Sequence, residues 1–290
     1  MPMASVIEDA TQPATVVNVA SIPLLSPFRY PGGKTWLVPL VRRWVTSLPA
    51  PPAFFCEPFC GGAIVGLSIL FEGLAEKLLL VELDADVATV WQSVLNGDAV
   101  ELTDRIRKFE MNRESVERLL SEPHSGTLDR AFATIVRNRV QRGGIMAPGA
   151  SLMKQGEGGR GVASRWYPKT LEKRIREIQS RSSAIGFFHR DGITYMKSVS
   201  NRTDTVYFID PPYTVAGRRL YVHSDVDHEE LFRVASRLHG DFLMTYDDSE
   251  AIRTLAQRSG FDTQTVAMKN THHRIMRELL IGRDLSWART

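Results

Sequence analysis

Apolar runs of strand length recur along this chain at residues 53–57, 78–82, 185–188, 205–209, 241–246, 261–268 and 276–282, and helix-length stretches separate most of them. Strand alternating with helix predicts an α/β fold, with a mainly parallel sheet carrying helices on both faces. The last two runs lie close enough to pair as a hairpin, which predicts an antiparallel element at one edge. Open sheets of this kind hold ligands beyond the carboxyl ends of their strands. The residues that close each run are therefore the first candidates for a site. With 290 residues, 43% of them hydrophobic and 24% charged, the chain can bury one large core and a smaller appended unit.

The run Val206-Tyr207-Phe208-Ile209 closes in Asp210-Pro211-Pro212-Tyr213. A carboxylate at Asp210 and the carbonyl of Pro211 can each accept a hydrogen bond from an exocyclic amine, and two successive prolines make a rigid turn without N–H donors. Tyr213 adds a flat face on which a base taken out of a duplex can stack. The same four residues also make an ordinary turn after a buried strand. Upstream, Phe54-Phe55-Cys56-Glu57 leads through Pro58-Phe59-Cys60-Gly61-Gly62-Ala63 into a helical pattern. Gly61 and Gly62 let the backbone approach a nucleotide, and the helix beyond them presents unpaired N–H groups; a tight strand-to-helix turn is the plainer alternative. About twenty residues on, the run from Lys77 ends in Glu82, placed to bind ribose hydroxyls and better suited to this than Asp84, which lies past the strand end.

Taken together, Phe28-Arg29-Tyr30-Pro31-Gly32-Gly33-Lys34, the Glu57 to Gly62 loop, Glu82 and Asp210 to Tyr213 resemble the motif set of the Dam-like DNA adenine-N6 methyltransferases (D12 class) from about Phe28 to Ile281. The glycine loop precedes the Asp-Pro-Pro-Tyr segment with a long insert between them, which resembles the alpha group. The resemblance implies a Rossmann-like S-adenosylmethionine-dependent methyltransferase sheet with helices on both faces and an inserted, mainly helical target-recognition domain. It implies a cofactor site for S-adenosyl-L-methionine built from Tyr30, Gly32, Gly33, Lys34, Glu57, Phe59, Gly61, Gly62, Glu82, Asp191 and Asp210. Asp191 would accept from the cofactor's adenine amine, or else cap a helix. The catalytic set would be Asp210, Pro211, Pro212 and Tyr213, acting without metal on N6 of a flipped adenine. Asp at position 210 favours adenine over cytosine N4, where Ser is more usual. Ala63 departs from the family's third glycine, and a methyl group there is tolerable if φ is negative.

Charge points the same way independently. Between Arg130 and Arg181 stand twelve Lys and Arg against three Asp and Glu, a net of +9 in a chain of net +3 that leaves −6 elsewhere. A local imbalance of this size marks a face for a polyanion, although a charge run also forms on any solvated helix. Arg137, Arg139, Gln141 and Arg142 end a helix and lead into a glycine-rich loop with Lys154 and Arg165. Lys169, Lys173 and Arg174 follow on the next helix. Arg and Gln suit purine edges, and the helix cations suit phosphates. Arg218 and Arg219, after a glycine at 217, lie in a stretch that reads as a lid or as a plain exposed loop.

These features divide the chain into a flexible lead over 1–25, a catalytic cofactor-binding part over 26–98 and 182–290, and a target-recognition part over 99–181. No apolar run reaches membrane-spanning length, and the N-terminus has no basic start, so a cytoplasmic protein is expected; the resemblance implies a bacterial or phage origin. Duplex DNA is the expected partner, and pairing with a cognate restriction endonuclease or solitary action both stay open. Cys56 and Cys60 read as small buried residues beside the loop, and adjacent His272 and His273 face opposite ways on a strand and share no ion easily. Two rivals stay open: methylation of RNA or of cytosine N4, and a catalytically silent DNA-binding relative.

Overall fold

The computed structural model describes residues 22–29, 33–146, 150–212, 225–269 and 275–289. Seven strands form one sheet: β1 Phe54–Glu57, β2 Lys77–Glu82, β3 Ile185–His189, β4 Thr205–Ile209, β5 Phe242–Asp247, β6 Asp262–Lys269 and β7 Ile275–Gly282. Their order is β3-β2-β1-β4-β5-β7-β6. The first five are parallel, and β7 runs antiparallel to both β5 and β6. All seven runs predicted from sequence are strands, and the expected hairpin forms the β6 edge. This is a Rossmann-like sheet with its last strand in sequence, β7, reversed.

Alternation along the strands sorts their side chains between two cores. Phe55, Leu78, Leu80, Val206, Phe208, Leu243 and Leu280 face one way. Cys56, Leu79, Val81, Tyr207, Ile209, Met244, Leu279 and Ile281 face the other. Central strands covered on both sides must be apolar at every position, which is why β2 and β4 read as unbroken hydrophobic runs. The first core is covered by α1 Val38–Ser47, α2 Ile64–Phe71 and α3 Ala85–Leu95, and the second by α8 Gly192–Ser198, α9 His228–Arg237 and α10 Glu250–Arg258. The α9 sequence shows how: Leu231, Phe232, Val234 and Ala235 are buried on one side, and Asp227 caps its start by accepting from the Glu230 N–H at 2.9 Å.

Between α3 and β3 the described residues hold α4 Ala99–Lys108, α5 Arg113–Ser121, α6 Thr127–Val140 and α7 Pro168–Gln179, joined by short 3-10 turns. This is the mainly helical insert. Its apolar faces merge with the α3 side of the core, and Phe109 packs edge-on against Phe132 and Trp166 at 5.3 and 5.9 Å. Ile22 is buried in the same core, ahead of the expected start of packed chain at residue 26. Among the described residues no helix is long and apolar enough to cross a membrane.

The turn from β1 into α2 departs from expectation at one residue. Gly61 has φ 44°, and Ala63 has φ 49°, in the left-handed region instead of the negative φ that would make its methyl harmless. An L-residue pays about 1–2 kcal/mol there, which explains why a third glycine suits this loop. Against that gain stand the buried Ala63 methyl, worth about 0.8 kcal/mol, and the greater chain entropy of an unfolded glycine. Ala63→Gly should therefore be neutral or stabilising by up to about 1 kcal/mol, while β-branched Ala63→Val should lose more than that. Urea midpoints for the three proteins decide it; a glycine variant clearly weaker than wild type would mean that methyl packing outweighs the backbone cost.

Candidate active site

Three adjacent parallel strands, β2, β1 and β4, end in carboxylates, at Glu82, at Glu57 and, one residue past the strand, at Asp210. They border a cleft of about 680 Å³ at the carboxyl edge of the sheet. Each is held in a different way. Glu82 accepts from the Gly61 N–H at 2.9 Å with one oxygen and from the Asp84 N–H at 2.8 Å with the other, so it braces the glycine loop against the start of α3. Asp84 in turn caps α3, accepting from Asp86 and Val87. The far side of the loop is tied by the Trp91 indole, which donates to the Gly61 carbonyl at 2.9 Å.

Glu57 reaches under α2 and accepts from the Gly66 N–H, one of the unpaired donors of the helix start that Ala63 cannot cap. That approach needs the absence of a side chain at Gly66, where a Cβ would stand 2.6 Å from Glu57 Oε1 and 2.5 Å from Leu78 Cδ1. Burial pushes the Glu57 carboxyl up to about 8 and the Glu82 carboxyl up to about 7, with the backbone N–H bonds pulling in the opposite direction. The chemistry of the floor is therefore acidic and partly protonated at neutral pH.

Asp210 is held by side chains instead of backbone. Its Oδ1 lies 3.0 Å from Lys34 Nζ and accepts from Thr245 Oγ1 at 2.7 Å. Lys34, 4% exposed, also stands 3.6 Å from Glu278 Oε1 on β7. Burial alone would lower the Lys34 pKa, but the Asp210 and Glu278 carboxylates together raise it, and the ammonium is retained. Lys34, expected from the resemblance to hold the cofactor, is thus joined to the Asp210 turn. Thr245 and Glu278 complete the arrangement and were not foreseen: neither lies in a motif, and their only sequence signal is a polar residue inside an otherwise apolar strand.

Other predicted positions sort clearly. Gly33, Phe59, Gly62, Asp191 and Pro212 line the cleft, and Pro211 is buried behind Pro212. Asp191 caps α8, accepting from the Thr194 N–H at 2.7 Å, so the capping alternative is realised while its side chain borders the cleft. Cys56 and Cys60 are buried free thiols. Tyr30, Gly32, Tyr213, Arg218, Arg219, His272 and His273 lie outside the described residues.

The basic segment divides between surface and interior. Arg142, Lys154, Lys169 and Lys173 are exposed, the last with Glu177 at 3.8 Å. Arg137 instead pairs with Asp86 at 2.7 Å beside Arg130. Gln141 turns its amide onto the Ala150 carbonyl at 3.4 Å within a small bridge to Leu152, and Arg165 is half-buried. Arg139 is buried and bonded to the Pro27 carbonyl, and Arg174 is half-buried with the Ser26 carbonyl at 3.3 Å. Of these cations Arg139 has its guanidinium turned toward the interior of the fold.

No family model matches the chain. No curated protein matches it either. Among solved structures it is similar to the rRNA methyltransferase AviRa of Streptomyces viridochromogenes, at 14% identity over 92% of this chain and 93% of that one, with TM-score 0.40. It is also similar to a methyltransferase of Geobacter sulfurreducens (11% identity, 88% and 80% covered, TM-score 0.39). A third is the precorrin-6y C5,15-methyltransferase of Geobacter metallireducens (8%, 85% and 87%, 0.36). With every one of these scores under 0.5, the fold rests on the strand order and the site on its own geometry.

Two outcomes test this geometry. Because the folded pKa of Glu57 exceeds its unfolded value of about 4.5, the folded state holds a proton that the unfolded chain releases. Stability from this group is greatest below that unfolded value and is lost as pH rises toward 8. Glu57→Gln keeps an acceptor for Gly66 but cannot ionise, so its urea midpoint should fall less than that of wild type between pH 5 and pH 9. Parallel pH profiles would refute the assignment.

Removing Lys34 leaves the Asp210 and Glu278 carboxylates without their shared cation, and loss of one partner of a buried pair typically costs about 3–5 kcal/mol. Lys34→Met should be destabilised by roughly the lower end of that range in urea unfolding, and by clearly less when introduced into an Asp210→Asn background where that carboxylate is already gone. Equal losses in both backgrounds would mean that Lys34 acts through packing alone.

Proposed function

We propose that the cleft transfers a methyl group from S-adenosyl-L-methionine to the N6 amine of an adenine turned out of duplex DNA. The observation that carries the reading is Asp210, set at the end of β4 by Lys34 and Thr245 and followed by the Pro211 carbonyl, in the same cleft as Glu82 and the glycine loop. Residues 26–98 and 182–290 would perform the chemistry and residues 99–181 would recognise the target.

The cofactor assignment was tested against the residues present. A cleft of about 680 Å³ is within the usual range for a ligand of nucleoside size. Its lining combines the carboxyl groups Glu57, Glu82 and Asp84 with Phe59 and Ile193 on one side and the cations Arg29, Arg174 and Lys197 on the other. The acidic and apolar part suits the ribose, base and sulfonium of the cofactor. Glu82 is placed for the ribose hydroxyls, Phe59 and Ile193 for an apolar base, and Gly61 and Gly62 for close passage of the backbone. When bound, the cofactor supplies an electrophilic methyl on a sulfonium.

The protein's own part is orientation and proton handling. The amine of adenine is a weak nucleophile because its lone pair is shared with the ring. Asp210 and the Pro211 carbonyl accept its two hydrogens, hold the nitrogen in line and favour rehybridisation as the new bond forms. Fixing Asp210 through Lys34 and Thr245 keeps that carboxylate in one place before the amine arrives. The proton lost from the methylated amine passes to solvent by way of Asp210. Tyr213 would stack on the ring, and the exposed Arg142, Lys154, Lys169 and Lys173 would meet phosphates.

Nucleosides released from enzyme-treated DNA and, in parallel, enzyme-treated RNA, measured by mass spectrometry, test the reading. N6-methyladenine in DNA is expected. Its appearance only in RNA moves the substrate class, and N4-methylcytosine moves the base. Asp210→Ala should abolish the product in a protein that still melts cooperatively, at a lowered midpoint because Lys34 loses its nearer carboxylate; wild-type turnover in that variant would sink the mechanism.

A further inference from the structure

Three arginines meet where the first described residues cross the helical insert. Arg139, near the end of α6, is 5% exposed and donates from Nη2 to the Pro27 carbonyl at 2.6 Å. Arg174, on α7, donates from Nη1 to the adjacent Ser26 carbonyl at 3.3 Å. Consecutive carbonyls therefore draw the two guanidinium groups together. Arg29 follows two residues later, its backbone N–H fastened to Asn138 Oδ1 at 2.8 Å. Arg29, Arg174 and Ser26 border the same cleft as Asp210.

Arg174 feels the attraction of Glu177 further along α7, but no carboxylate acts on Arg29 or Arg139 among the described residues, and Arg139 Nε and Arg29 Nη1 are buried donors with no acceptor. A guanidinium does not escape this by losing its proton, and a buried charge without a counter-ion costs several kcal/mol. Two backbone carbonyls offset part of that cost. Burial, and then Arg174 and Arg29 as like charges, bring Arg139 down to about 9; burial lowers Arg29 and Arg174 as well. Unused donors and mutual repulsion are both relieved by an anion that accepts from several planar forks at once.

We propose that Arg29, Arg139 and Arg174 form a built oxyanion site that takes one backbone phosphate of the nucleic-acid strand whose base enters the cleft. This rests on the nucleobase reading above. A phosphodiester carries a net negative charge, whereas the amino-acid end of the cofactor pairs its carboxylate with its own ammonium. Three cations match the former. Exposed Lys169 and Lys173 lie on the same helix as Arg174 and extend the track outward. Arg139, expected from sequence to meet DNA at a base edge, becomes in this proposal the inner wall of a phosphate site.

A short labelled duplex with one abasic nucleotide isolates the backbone from the base. Its binding, followed by fluorescence anisotropy across a salt series, should weaken about tenfold in Arg174→Gln, and the slope of log affinity against log salt should fall by about 0.9, the value for one lost phosphate contact. Arg139→Gln should behave likewise where its melting transition shows it folded; if it does not fold, half-exposed Arg174 carries the test. Calorimetry with S-adenosylmethionine should show unchanged affinity. Unchanged abasic binding and slope overturn the proposal. So does a loss confined to cofactor affinity, which would assign the arginines to a carboxylate. Wild-type protein that binds the abasic duplex through Arg174 yet methylates neither DNA nor RNA would leave the phosphate site standing and remove the methyl-acceptor reading instead.

Discussion

Three carboxylates in one row are the constraint around which this molecule is arranged. Parallel strands about 4.8 Å apart, all ending at the same edge, oblige Glu82, Glu57 and Asp210 to share one wall of the cleft. All three ionised together at that spacing in a partly dry site would repel strongly, and burial holds Glu57 and Glu82 partly protonated. The protein answers with three different partners: backbone N–H groups of the glycine loop for Glu82, the start of α2 for Glu57, and the Lys34 ammonium for Asp210. Each answer also fixes a piece of backbone. The loop, the helix and the Asp-Pro-Pro turn take their positions from the groups that neutralise the row.

The same row gives the cleft its electrical character. Its floor is acidic, while the wall contributed by Arg29 and Arg174 is basic. The two signs stay apart because Glu82 is tied by backbone N–H groups and Asp210 by Lys34, so neither is drawn onto the arginines.

Helix α3 links the two halves of the molecule. Its Trp91 holds the Gly61 carbonyl and packs against Phe28 at 6.2 Å, while Asp86 in its first turn pairs with Arg130 and Arg137 of α6. A displacement of the helical insert therefore bears on the cofactor loop through one rigid element. Partly exposed ion pairs add little net stability, but they can set register between packed pieces, and the Asp86 cluster is placed to do that here.

What the sequence determined by itself is the sheet and the identity of the strand-end residues. Strands buried on both faces must be apolar throughout, so β2 and β4 announced themselves, and a polar residue closing such a run has to sit at the sheet edge. That logic reached Glu57, Glu82 and Asp210 without coordinates. The tertiary structure alone decided the pairings across long chain separations. Lys34 meets Asp210 and Glu278 because the segment before α1 crosses β4 and β7, and nothing local to those residues encodes the encounter. It decided as well that Ala63 takes a left-handed conformation and that Arg139 turns inward to Pro27. A side chain's type fixes what it can bond, whereas its direction is set by the packing of the element that carries it, and that packing involves the whole chain.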